Sequence, residues 1–303
     1  MKAGFYRFLT LLARRWGTGP ARLVARGIAA GFFLFFPARV AASRRFYRDL
    51  YPGRGPLFTL GCTWRQYLAF SDRFVDRLGL CGPNPPVYRF EGLDRLQAAL
   101  TDGRGAILLM SHLGDWEVAA RILKRDLPGL RLLLYMGVRP GEQIEGLQKA
   151  ALHRSGIRLV GVVPGAGAPL EIVEALGFLR RGGFVSLAAD LLWHAHQPAV
   201  AVDFLGRRVR LPRAPYHLSL VSGAPVFVFF ALRQGPGRFF FLARELRLAA
   251  GGPRNRREAV VGQAAQAYAD LLAETVRRHP FQWHHFAPLR ADGPDCGVTA
   301  RSR

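Results

Sequence analysis

From about residue 100 onward, short apolar runs alternate with stretches whose apolar positions recur every three or four residues. The runs Ala106 to Ser111, Arg131 to Met136, Ile157 to Val163 and Phe184 to Ala189 read as strands. Trp116 to Asp126 and Glu142 to His153 read as helices. A third helix runs to Arg181 with Pro169 at its start, where a missing N–H has no partner to lose. Strands and helices in alternation build a largely parallel sheet covered on both faces. Val226 to Arg233 and Arg238 to Leu246 are strongly β, and Gly235-Pro236-Gly237 makes the turn between them, which predicts a hairpin and a mixed edge. Arg256 to His279 is a long final helix. The expected fold class is therefore α/β, a mixed, largely parallel central sheet flanked by helices.

The first 50 residues follow another pattern. Gly27 to Ala38 is an apolar, phenylalanine-rich run bounded by Arg26 and Arg39, with Pro37 near its end. It is well short of the roughly 20 residues a spanning helix needs. Phe5 to Trp16 is also apolar and basic. Of these 50 residues ten are basic and only Asp49 is acidic. The pattern suits helices that lie on or dip into a membrane surface; two core helices with basic outer faces would read the same way. The expected organisation is a membrane-associating helical segment over 1–50, an α/β domain over 51–289 and a loose tail over 290–303.

Half of the 303 residues are hydrophobic, so a large core is available and global disorder is excluded. The net charge of +22 calls for a polyanionic partner: nucleic acid, an anionic membrane or an acidic protein. No helix-turn-helix, RNA-binding or zinc pattern is visible, and the basic residues gather in an apolar segment, which favours lipid over nucleic acid. Cys62, Cys81 and Cys296 form no CxxC pair, which fits a reducing compartment. No cleavage site in the manner of a signal peptide follows a short apolar core.

The chemistry concentrates in Ser111-His112-Leu113-Gly114-Asp115-Trp116-Glu117, which leaves a strand and opens a helix. Ligands of open α/β sheets bind beyond the carboxyl ends of the strands, and a helix N-terminus there favours negative charge. Activating a hydroxyl as a nucleophile needs a base to take its proton, and an acid to fix the tautomer of that base. His112 and Glu117 supply both. With eight histidines and 21 acids in the chain, this spacing alone is a weak signal, and a surface histidine before an acidic first turn would look alike. Asp115 competes with Glu117 as the partner. His194 and His196 follow Asp190 in a D-x3-H-x-H cluster, but further ligands are lacking and no metal is expected. His284 and His285 are expected to pack beside aromatic residues.

The segment SHLGDWEVA resembles the signature block of the bacterial lipid A biosynthesis acyltransferases, the lauroyl and myristoyl transferases, within the His-x4-Asp/Glu glycerolipid acyltransferases. The resemblance continues through GVRPGEQIEGLQKAALHRSGIRLV with Arg139, Pro140 and Arg154, FLRRGGFVSLAAD ending at Asp190, the Phe-x-Gly block of VAVDFLGRRVRLPRAP, and HPFQW at His279 to Trp283. These five blocks, in order, cover about residues 27 to 289. The chain departs from the family pattern at Asp115, at Leu191 and at Leu211-Pro212-Arg213, which bears on the acceptor more than on the chemistry.

The resemblance implies a glycerol-3-phosphate acyltransferase-like fold and direct acyl transfer from an acyl carrier protein or coenzyme A thioester to a lipid or glycolipid hydroxyl. It implies a protein at the cytoplasmic face of the bacterial inner membrane, peripheral or monotopic, with no resident cofactor. His112 would be the base and Glu117 its partner, with the oxyanion held by backbone amides near the helix start or by an arginine. Arg154, Arg139, Asp190 and Asp115 are the candidate substrate-binding residues. Arg154 and Arg139 have a second reading as solvated helix-end arginines, and Asp190 as a helix or turn cap. Phe204 and Gly206 would shape the pocket. A hydrolase using the same dyad on water, or a basic binding protein without activity, are the alternatives.

Overall fold

The protein is described by a computed structural model covering residues 11, 15–79, 86–137, 156–162, 168–192, 197–249 and 253–284. Three helices lead the chain: α1 (Thr18–Phe35), α2 (Pro37–Leu50) and α3 (Pro56–Gly79). The α/β part follows as β1 (Val87–Glu91), α4 (Leu93–Thr101), β2 (Ala106–Met110), α5 (Trp116–Asp126), β3 (Leu132–Gly137), β4 (Ile157–Val162), α6 (Ala168–Arg180) and β5 (Phe184–Ala188). It ends with β6 (Ala199–Phe204), β7 (Arg207–Pro212), α7 (Ala214–Ser222), β8 (Val226–Gly235), β9 (Arg238–Leu246) and α8 (Arg254–Arg278).

Seven strands form one sheet in the order β1-β9-β8-β2-β5-β3-β4, and β6 and β7 form a separate antiparallel pair. Every neighbouring pair of the large sheet is parallel except β8 and β9, so the hairpin reverses direction at one edge and β1 completes that edge beside β9. The mixed, largely parallel sheet expected from the alternating pattern is present. The central strands read as continuous apolar runs because both faces are covered. Ile107 and Leu109 pack with Tyr268 and Leu272 of α8 in one layer. Ala106, Leu108 and Met110 pack with Val118 and Ile122 of α5 in the other.

The leading helices form a layer of their own. Arg22 near the start of α1 pairs with Asp72 and Asp76 near the end of α3, while Phe33 near the end of α1 packs edge-on against Trp64 and Tyr67. The two helices therefore run antiparallel. Between α1 and α2 the chain bends by 92°. Among the described residues no single helix is long and apolar enough to cross a membrane, although this bent pair meets the criterion jointly. The boundary expected at residue 50 is crossed by firm contacts: the Tyr47 hydroxyl donates to the Pro280 carbonyl at 2.9 Å, and the Phe46 ring lies 4.9 Å from that of Trp283.

The helix expected over Glu142 to His153, the apolar stretch from Phe5, and the tail lie wholly or largely outside the described residues.

Candidate active site

Two neighbouring strands build the site. β2 and β5 are parallel, with Met110 opposite Ala188, and the ladder continues one step further through the Ala189 N–H donating to the Met110 carbonyl at 2.9 Å. Extending this register by two residues sets His112 beside Asp190 at the carboxyl end of the sheet. Asp190 Oδ1 lies 3.0 Å from His112 Nδ1, and Asp190 Oδ2 accepts the His112 backbone N–H at 2.7 Å and the Trp283 indole N–H at 3.0 Å. The Asp190 residue is 1% exposed, whereas the His112 side chain is 35% exposed. A carboxylate on Nδ1 keeps the proton there and puts the basic lone pair on Nε2.

The turn after β2 is clamped on two sides. Gly114 N–H donates to the Gln282 carbonyl and His284 N–H to the His112 carbonyl, both at 2.9 Å. Asp115 N–H donates to the Ala231 carbonyl of β8 at 2.9 Å, and the Leu113 N–H to Ser111 Oγ at 3.1 Å. Gly114 has φ of +79°, and a Cβ there would sit 2.0 Å from the Ala231 carbonyl oxygen, so this approach admits only glycine. Trp283 is supported from the other side by Phe204, 5.4 Å between ring centroids. Phe204 ends β6, and Leu205 and Gly206, both at positive φ, form the tight turn into β7. The Phe-x-Gly block thus buttresses the tryptophan of the His-Pro-x-x-Trp block.

The expected His112–Glu117 pair is not what the structure forms. Glu117 lies on the first turn of α5 and is buried facing α3. Arg77 Nη1 is 2.8 Å from its Oε2, and Arg121, one turn along, donates to its Oε1 at 2.9 Å. Asp115 is not the partner either. Its carboxylate caps α5 by accepting the N–H groups of Glu117 and Val118, and it meets Arg77 at 3.0 Å and Arg73 at 3.3 Å. Burial alone would raise the Asp115 carboxyl, but Arg77, Arg73 and these hydrogen bonds bring it down to about 2. Both acids tie α5 to α3. The Asp190 side chain is likewise fully covered, and its oxygens meet His112 and Trp283.

Most of the amides around the helix start are already engaged. The N–H groups of Leu113, Gly114, Asp115, Glu117, Val118 and Ala119 all have partners within the protein. Arg139, Arg154, His194, His196 and His285 lie outside the described residues. His284 packs against Phe70 at 5.2 Å, and burial, with Arg73 and Arg77 nearby, pushes its pKa well below the ordinary value. The sequence reading did not find Trp283's bond to the acid or the role of Arg77; the Trp at the end of the HPFQW block was the one available signal for the first.

Residues 76–289 match the model of the bacterial lipid A biosynthesis acyltransferases. The chain is 29% identical over 200 residues to a phosphatidylinositol mannoside acyltransferase of Mycobacterium tuberculosis, a match covering 65% of this chain and 58% of that protein. It is 26% identical over 204 residues to the protein of the same name from Mycolicibacterium smegmatis, covering 65% and 60%. The chain spans about 60% of the length of these curated relatives.

Proposed function

The chain belongs to the bacterial lipid A biosynthesis acyltransferase family, and on that premise we propose that it moves a fatty acyl group from an acyl carrier protein or coenzyme A thioester to a hydroxyl of a glycolipid, with His112 as general base and Asp190 as its partner. The observation that carries this reading is the contact between His112 Nδ1 and Asp190 Oδ1 at the carboxyl end of two parallel strands. Asp190 holds the tautomer and stabilises the imidazolium as it forms. Nε2 takes the acceptor hydroxyl proton, and the oxygen attacks the thioester carbonyl. The tetrahedral intermediate expels the thiolate, which leaves as the thiol with the proton from Nε2. No acyl-enzyme is required. With the amides of the turn engaged, an arginine neutralises the oxyanion in this scheme. Arg154 is our first candidate and Arg139 the second, since a guanidinium also grips an acceptor phosphate in bidentate fashion.

The mycobacterial relatives are named for phosphatidylinositol mannoside. A phosphate-bearing glycolipid is accordingly our acceptor class, and the net charge of +22 supports it. We further propose that the protein works at the cytoplasmic face of the inner membrane, peripheral or monotopic. The support is an apolar elbow: Phe35 is 80% and Leu57 83% exposed, and Leu34 and Phe36 are exposed beside them. Arg39 stacks on Phe36 and Arg54 on Phe58, which gives the elbow the mixed apolar and cationic face of an interfacial helix pair.

The test is transfer from radiolabelled carrier and coenzyme A thioesters into a bacterial lipid extract, with wild type and His112→Ala in parallel. Label in a lipid product with the wild type alone is the expected result, and the mass of the product identifies the acceptor. Label appearing only as free fatty acid would replace this proposal with the hydrolase reading.

A further inference from the structure

A cavity of about 400 Å³ lies behind the turn that carries His112. Its lining takes in Gly114 and Asp115 but neither His112 nor Asp190, so the backbone of the turn separates it from the dyad. Arg65 and Arg73 of α3, Arg233 of β8, Arg278 at the end of α8, Phe281 and His284 converge on it. We infer that this cavity is a second binding site, specific for a phosphomonoester on a small, partly apolar body.

The acids that face the cavity are already matched. Asp76 meets Arg233 and Arg22, Asp72 meets Arg22, Arg233 and Arg26, and Asp115 meets Arg77 and Arg73. Arg65 has no carboxylate within ion-pair distance among the described residues, and its guanidinium rests on the Phe281 ring at 5.5 Å. Among the described residues Arg278 reaches only Glu274, on the exposed surface of its own helix. One buried group of the lining also lacks a hydrogen bond: His284 Nδ1, whose residue is 7% exposed. A buried polar atom without a partner is costly, and phosphate oxygens would supply acceptors to the rim guanidinium groups and to an imidazole N–H together. The volume is at the small end of ligand pockets, enough for a phosphate and a compact body and too little for a whole acylated lipid. Leu68, Phe239 and Phe281 supply the apolar flank.

The phosphomonoester can come from a soluble ester or a lipid headgroup, and two probes distinguish them: glycerol 3-phosphate and short-chain dihexanoyl phosphatidic acid. Titration calorimetry on the full chain is expected to show saturable one-to-one binding. Equal affinity for the two probes identifies a soluble ester, and binding that requires the acyl chains identifies a headgroup. Arg65→Ala and Arg278→Ala, both on the exposed rim, should each weaken binding about tenfold, the value of one charge-assisted hydrogen bond. Arg180→Ala, exposed on α6, should leave it unchanged, and so should His112→Ala. Absence of saturable binding by both probes, wild-type affinity in both rim variants, or loss of binding in His112→Ala would each overturn the inference. The last result would mean that the phosphate sits in the transfer site instead. None of these outcomes depends on whether the protein transfers acyl groups.

Discussion

Asp190→Asn and Glu117→Gln separate the two possible partners of His112. Asparagine at 190 keeps the shape of the side chain. Its oxygen can still accept the His112 backbone N–H and the Trp283 indole N–H, the two bonds that now end on Oδ2. Its NH2 group then faces His112 Nδ1, 3.0 Å away, and can only donate. The imidazole must turn its acceptor nitrogen inward and place its proton on Nε2, where a base needs a lone pair. The charge that stabilises the imidazolium is lost as well. A wrong tautomer of this kind costs a serine-protease histidine about 10⁴ in kcat, so a fall of about 10²–10⁴ is expected for Asp190→Asn, with little change in KM or in the unfolding midpoint.

Glu117→Gln should do the opposite. It leaves Arg77 and Arg121 facing a neutral amide in a buried position, and breaking one side of a buried ion pair costs about 3–5 kcal/mol. The urea midpoint should drop while turnover per folded molecule persists. Acyl-transfer kinetics and urea unfolding on the same preparations give both numbers. An Asp190→Asn enzyme with wild-type turnover, beside a fully folded but inactive Glu117→Gln, would refute the assignment and restore the pairing suggested by the local motif.

Gly114→Ala should lower stability by about 3 kcal/mol or more in urea unfolding, because the Cβ would lie 2.0 Å from the Ala231 carbonyl oxygen at a φ of +79°. Asp115 titrates near 2 when folded, against an ordinary value of 3.8, so the stability it contributes is complete above 3.8 and lost as pH falls through 2. Acid unfolding should show about 2 kcal/mol lost over that window, and Asp115→Asn, less stable at neutral pH, should lose less there. Phe35→Ser with Leu57→Ser should weaken sedimentation with anionic liposomes several-fold and leave the unfolding midpoint unchanged, since both side chains are already in solvent.

What was legible in the sequence was what short-range pattern encodes. The bounds of β2, α5 and β9 agree with the reading to within a residue, because a doubly covered strand shows as an apolar run and Asp115 caps α5 visibly. The β8–β9 hairpin followed from its Gly-Pro-Gly turn. The helix α3 carried no chemical motif, and Arg77 within it, which accounts for both Asp115 and Glu117, lies some 40 residues from the acids it holds. β1, with alternating exposure on the sheet edge, and the arginine-rich β7 were likewise without a strong apolar run.

The partner of His112 belongs to a different order of information. From Ala106 opposite Phe184 to Met110 opposite Ala188, β2 and β5 keep one constant offset. Whatever follows β5 by two residues must face whatever follows β2 by two. Once the strands are known to be neighbours, an acid at 190 is bound to lie against a histidine at 112, and the acid five residues along the chain is carried away on the first turn of a helix. The local motif therefore marks where the base stands, while strand order selects its partner. Strand order is fixed by packing across the whole sheet, so no spacing within the motif could encode it.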